Sequence, residues 1–163
     1  MAATMRRIHK DLLTVTKETN EFFTLDPDIE NTASGNKCKG IIFGHSDSYK
    51  GGLFNFEIIF PNDYPNNPPI VNFITKIFHP NIYADGKVCI SILHAGGDET
   101  NYEDDGLRWS PTQTLYCIIT SIHYVLHNPN IESPANIDAA KMLRTDPEEY
   151  NLIMRKIVAS THN

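Results

Sequence analysis

Apolar residues near the start of the chain fall at Met5, Ile8, Leu12 and Val15, the three- and four-residue spacing of one helical stripe. Arg6, Lys10 and Lys17 share another face of that helix, with Arg7 near its edge. The pattern then changes. Segments 21–25, 37–43, 53–60 and 70–74 are rich in Ile, Phe and Val and read as strands. Turn formers separate them: Asp26-Pro27, residues 31–35, Gly51-Gly52 and the proline-rich stretch 61–69. That last stretch holds four prolines and cannot be regular. Short connections between successive strands imply an antiparallel meander.

From residue 75 to residue 111 almost no periodicity is visible, too long an interval for an idle connection in a compact domain. Ser110-Pro111 supplies an N-cap and a first helical position. Behind it Leu115, Ile118, Ile119, Ile122, Val125 and Leu126 make a broad apolar face, which predicts a central buried helix ending at Asn128-Pro129-Asn130. Two more helices are expected over 136–143 and 146–160, the last opened by Asp146-Pro147-Glu148-Glu149. The expectation is an α+β fold in one domain spanning 1–163: an N-terminal helix, a four-stranded antiparallel meander, a long loop, then central and C-terminal helices.

Composition narrows the function more than the fold. The 163 residues carry a net charge of −6 and no dominant basic stripe, which argues against nucleic acid as a partner. The charged residues at 6–11 break any secretory leader, and no apolar run is long enough for a membrane anchor. Cys38, Cys89 and Cys117 are scattered, matching neither a metal-ligand spacing nor a disulfide framework. No metal is expected, and the free thiols fit a reducing compartment, cytoplasm or nucleus.

The chemistry concentrates in the long loop. His79-Pro80-Asn81 precedes Cys89 by a few residues, and the Asp85-Gly86 turn between them folds the chain back to bring Asn81 towards the thiol. An Asn carboxamide there is either an oxyanion donor or a brace on backbone groups. Cys89 itself reads as a structural thiol or as a nucleophile, with His79 or His94 as a base in a cysteine-protease reading.

The run His79-Pro80-Asn81-Ile82 with Gly86-Lys87-Val88-Cys89-Ile90-Ser91-Ile92-Leu93 closely resembles the active-site segment of ubiquitin-conjugating (E2) enzymes. Tyr49-Lys50-Gly51-Gly52, Phe60-Pro61-Asn62-Asp63-Tyr64-Pro65, Trp109-Ser110-Pro111, Asn128-Pro129-Asn130 and Ser133-Pro134-Ala135-Asn136 agree in order and spacing. The resemblance implies that Cys89 carries a modifier as a thioester and that Asn81 supports isopeptide formation. His79 and Pro80 are then structural at the site, and Ser133 (with Ile131 as the neighbouring alternative) orients or deprotonates the incoming lysine. The loop from Cys89 to Trp109 is longer than in shorter members. Its acidic residues Asp98, Glu99, Glu103, Asp104 and Asp105 resemble the subgroup that builds polyubiquitin chains, with His94 placed to position, gate or accept a proton.

Implied partners are ubiquitin, an activating enzyme (E1) and a ligase (E3). They would be met by Arg6, Lys10 and Lys17 on the first helix, by Tyr64, Pro65 and Asn66, and by Ser110 and Pro111 with Thr112. Asn66 stands where some relatives carry an aromatic residue, which favours RING over HECT ligases. No cofactor is implied, because ATP is used by the E1. Recruitment to the endoplasmic-reticulum surface would need a partner. The other readings are an E2 for a different ubiquitin-like modifier and a non-catalytic ubiquitin-binding scaffold, the latter disfavoured by an intact Cys89.

Overall fold

The computed structural model describes residues 2–96 and 108–163. Helix α1 (Ala2–Lys17) buries Ile8, Leu12 and Val15, the stripe its spacing predicts. The strands follow: β1 (Phe23–Leu25), β2 (Glu30–Thr32), β3 (Gly35–Phe43), β4 (Leu53–Phe60) and β5 (Ile70–Phe73). All their pairings are antiparallel, in the order β1-β3-β4-β5. In β4 the alternation is complete, with Phe54, Phe56, Ile58 and Phe60 all buried on one face. Helix α2 (Leu115–His127) adds Leu115, Ile118, Ile119, Ile122 and Leu126 to the same core. Helices α3 (Ile137–Thr145) and α4 (Pro147–Ser160) close the chain. Their caps are Asn136 and Asp146, whose side chains accept from the amides of Ala139 and Glu149.

Apart from shifts of one or two residues at element ends, two features differ from those read in the sequence. Strand β2 lies where a plain turn is expected, pairing Glu30 to Thr32 with the first residues of β3. It has no apolar residue to signal it. Main-chain pairing holds it, helped by Glu30 contacts to Lys39 at 2.6 Å and Lys37 at 3.7 Å. Helix α2 starts at Leu115 behind Thr114, whose hydroxyl accepts from the Cys117 amide at 3.1 Å. Ser110-Pro111 instead opens a separate turn, with the Gln113 amide donating to the Ser110 carbonyl at 3.0 Å. Arg7 fastens that turn by donating to the Pro111 and Gln113 carbonyls at 2.7 and 3.2 Å.

Tyr64 requires a correction. Expected on a partner-facing loop, it is 1% exposed and presents no side chain to a partner. Its hydroxyl donates to Asp11 at 2.6 Å, and its ring meets Phe60, Trp109 and the Arg7 guanidinium. Burial, and then the Asp11 carboxylate, push its phenol pKa far above the ordinary value. The indole of Trp109 donates to the Pro65 carbonyl at 2.9 Å, so Tyr64 and Trp109 together anchor both neighbouring loops from beneath. Replacing Tyr64 by Phe keeps the packing and leaves Asp11 without one donor. The expected loss is about 1–2 kcal/mol, seen as a lower urea midpoint with an unchanged slope.

Candidate active site

The loop that carries Cys89 has few regular elements, yet most of its backbone is tied down. At its turn the Tyr83 amide donates to the Lys87 carbonyl and the Gly86 amide to the Tyr83 carbonyl, both at 2.9 Å. Gly86 has φ +98°, and a side chain there would run into the Phe73 carbonyl oxygen, so the turn requires glycine. The fold-back that Asp85-Gly86 implies is present: the Cys89 amide donates to the Asn81 carbonyl at 2.9 Å.

His79 fixes the start of this hairpin. It is fully buried, and its Nε2 lies 3.1 and 3.2 Å from the Val125 and Leu126 carbonyls in the last turn of α2. Only an N–H can face two carbonyls, so Nδ1 is bare, and it accepts from the Asn81 amide at 3.0 Å. Burial lowers the His79 pKa to about 4, which keeps the ring neutral in this tautomer at physiological pH. Pro80 contributes its carbonyl, which accepts from the amides of Ala135 and Asn136 and so hangs the segment bearing Ser133 beside the hairpin.

Asn81 is 4% exposed, and its carboxamide is committed at both ends. Nδ2 donates to the Asn130 carbonyl at 2.9 Å, and Oδ1 accepts from the Asn130 amide at the same distance. One amide hydrogen is left over. This is the bracing arrangement, and it ties the thiol hairpin to the segment that follows α2.

Around the thiol, His94 Nε2 lies 3.5 Å from Cys89 Sγ. Tyr83, 43% exposed, lies close enough to Cys89 for the thiol to raise its phenol pKa. Cys89 and His94 both border two clefts. The larger, about 580 Å³, continues past Asn81, Ser121, Tyr124 and Ser133. The smaller, about 170 Å³, lies between Pro68, Tyr83 and Lys87. Ser133, rather than Ile131, lines the larger cleft with the thiol. The other cysteines are placed differently. Cys38 is buried in β3, where desolvation pushes its thiol up to about 12, and Cys117 is exposed on α2.

Of the partner-facing residues, Arg6, Lys10 and Lys17 are exposed along α1, as are Asn66 and Pro111, while Pro65 and Ser110 are half-buried. A groove of about 610 Å³ runs between α1 and residues 111–116. The acidic residues Asp98, Glu99, Glu103, Asp104 and Asp105 lie outside the described residues. The two ends of their segment meet at the site, where the Trp109 amide donates to the His94 carbonyl at 2.9 Å. Tyr83 and Asn130 are the site residues that the sequence reading passes over. A hairpin turning on Asp85-Gly86 places Tyr83 on the same side as the thiol, a signal legible in the spacing. The Asn130 contact runs through backbone atoms and leaves no signal in side-chain type.

Chemically the site is a half-buried thiol between two open clefts, flanked by an imidazole and a phenol, on a hairpin held from below. Comparison with known proteins agrees with that chemistry. The family model described as ubiquitin-conjugating enzyme matches residues 7–158. Ubiquitin-conjugating enzyme E2-18 kDa of Schizosaccharomyces pombe is 42% identical over 162 residues, covering 98% of this chain and 96% of that protein. Ubiquitin-conjugating enzyme E2 G2 of Homo sapiens is 47% identical over 122 residues, 74% of each chain. Ubiquitin-conjugating enzyme E2 15 of Schizosaccharomyces pombe is 48% identical over 120 residues, 72% of each. A match of that length and identity, running through the hairpin that holds the thiol, makes this chain a member of the ubiquitin-conjugating enzyme family, an E2 transferase.

Proposed function

We propose that Cys89 accepts ubiquitin from an E1 as a thioester and passes it, with an E3, to a lysine amine, building polyubiquitin chains. The observation that carries this reading is the thiol's position: half-exposed, with its backbone pinned to Asn81 and an open cleft on either side. An extended modifier tail needs one such cleft, and an approaching lysine needs the other. A thioester keeps its reactivity towards amines without a metal or cofactor, and ATP is spent on the E1.

Asn81 acts mainly as a brace, since both ends of its carboxamide are bonded to Asn130. His94 positions the reacting groups, with its imidazole beside the sulfur. Ser133 lies along the path of the lysine. The acidic segment 98–105 attracts the basic surface of an acceptor ubiquitin. Its carboxylates favour the charged form of a lysine, so they aid docking more than deprotonation. Arg6, Lys10 and Lys17 meet the E1 and the E3, joined by Pro65, Asn66, Ser110 and Pro111. Without an aromatic side chain at Asn66, a RING ligase fits better than a HECT ligase. Among the described residues no helix is long and apolar enough to cross a membrane.

Incubation with ATP, ubiquitin and E1 should give an adduct that reductant removes and that Cys89→Ala lacks. A reductant-sensitive adduct surviving in Cys89→Ala would sink the assignment, and charging only by another modifier would move it to that modifier. Asn81→Ala should still charge but discharge to free lysine more slowly. It should also lose about 1–3 kcal/mol of stability, because the Asn130 amide and carbonyl lose their partner. Unchanged stability with slow discharge would point instead to an oxyanion role. Deleting residues 98–105 should leave charging intact and reduce free chain formation.

A further inference from the structure

Away from the thiol, three histidines gather where the chain leaving β3 crosses α2. His123 and His127 are one turn apart on α2, with ring centroids at 4.5 Å, and the His45 ring is 5.2 Å from that of His123. Phe22 covers His123 and His45 at 4.8 and 5.5 Å, and Tyr49 lies 5.2 Å from His127. The hydrogen bonds limit how many protons the cluster can hold. His127 Nδ1 lies 2.8 Å from the His123 carbonyl and must carry its proton, so Nε2 accepts from the His45 backbone amide at 3.1 Å. His45 Nδ1 faces the Phe43 carbonyl at 3.0 Å and His123 Nε2 at 3.2 Å, so it carries the one proton of that contact and His123 Nε2 accepts. A second proton on that pair, or one on His127 Nε2, sets N–H against N–H.

The surroundings offer no charge compensation to His123: what acts on it is burial, His127, His45 and the Phe43 carbonyl, and the first three lower its pKa to about 4. Of the neighbouring charged groups, Glu21 beside Phe22 and Asp47 and Lys50 of loop 44–52 are exposed. Tyr49 is turned away to the Tyr150 hydroxyl at 2.9 Å. The cluster joins that loop to the last turn of α2, the same turn whose Val125 and Leu126 carbonyls His79 grips from the other side.

We propose that His45, His123 and His127 form a proton-sensitive latch between loop 44–52 and the last turn of α2, and that its release passes through His79 to the hairpin holding Cys89. Well above pH 6.5 the His123 ring is neutral whether latched or released, and the latch is at full strength. As pH falls towards 4 the released His123 ring binds a proton that the latched one refuses, so the latched state loses stability. Release frees the turn that supplies His79 with its acceptors. The bonds from the Asn81 amide to His79 Nδ1 and from the Cys89 amide to the Asn81 carbonyl then slacken. The inference concerns the free protein and does not depend on what Cys89 carries.

Amide-exchange protection factors, followed by NMR from pH 7 to pH 4.5, test it on the intact chain. In the unsubstituted protein protection should fall about tenfold or more at the Gly44 amide and at the amides of Asn81 and Cys89, together. His123→Phe keeps an aromatic ring beside Phe22 and removes the accepting nitrogen. His127→Gln keeps an acceptor for the His45 amide at every pH. Each variant should flatten the pH dependence at all three amides to about threefold or less, and either variant alone suffices if the other does not fold. An unchanged profile in a folded variant would place the titration on His79 itself and overturn the latch. Flattening at Gly44 alone would overturn the transmission to the thiol.

Discussion

Two peptide groups and one carboxamide hold the reactive hairpin together. The Asn81 side chain exchanges two hydrogen bonds with the backbone of Asn130, while its own carbonyl takes the Cys89 amide. The two residues lie 49 positions apart in the chain. The pairing is reciprocal and partly shielded from solvent, so removing the carboxamide strands a donor and an acceptor at once. His79 completes the arrangement from below by joining the same hairpin to the end of α2. Position of the thiol is therefore set by the helical core rather than by the loop's own conformational preferences.

That construction explains how a segment with so little regular structure can present a reactive group. Long loops in compact domains are costly unless their backbone groups find partners. Here they find them in a turn closed by Gly86, in two isolated bridges to Asn72 and within the hairpin, and in one short 3₁₀ turn at Ser91–Leu93. The reactive side chain stays reachable while its main chain does not move freely. Cys38 shows the opposite outcome for the same residue type: enclosed by β3 and the core, its thiol is held protonated.

Much of this architecture is legible in the order of residues. Strict alternation in β4 and the stripe of α1 mark burial directly, because period and face coincide. Caps at Asn136 and Asp146 stand where residue type announces them. The failures share a cause. Strand β2 exists by pairing and ion contacts, not by its own apolar content. Ser110-Pro111 has the composition of a helix start, but Arg7, more than a hundred positions earlier, claims its carbonyls for a turn. Tyr64 sits in a polar, proline-rich stretch and is drawn inward by Asp11 and Trp109. Distant partners decide each case, and no local pattern encodes them. The thiol is similar: local residue types leave its chemistry open, and it is the family match along the chain that supports the proposal made for it.

The bond from the Trp109 amide to the His94 carbonyl has a wider implication. It closes the neck of the intervening segment at the rim of the site, and Trp109 is itself anchored through Pro65. Because the neck is tied through Trp109 to Pro65, the rim of the thiol site and the loop at 64–66 share one support, so a change that loosens either is felt at the other.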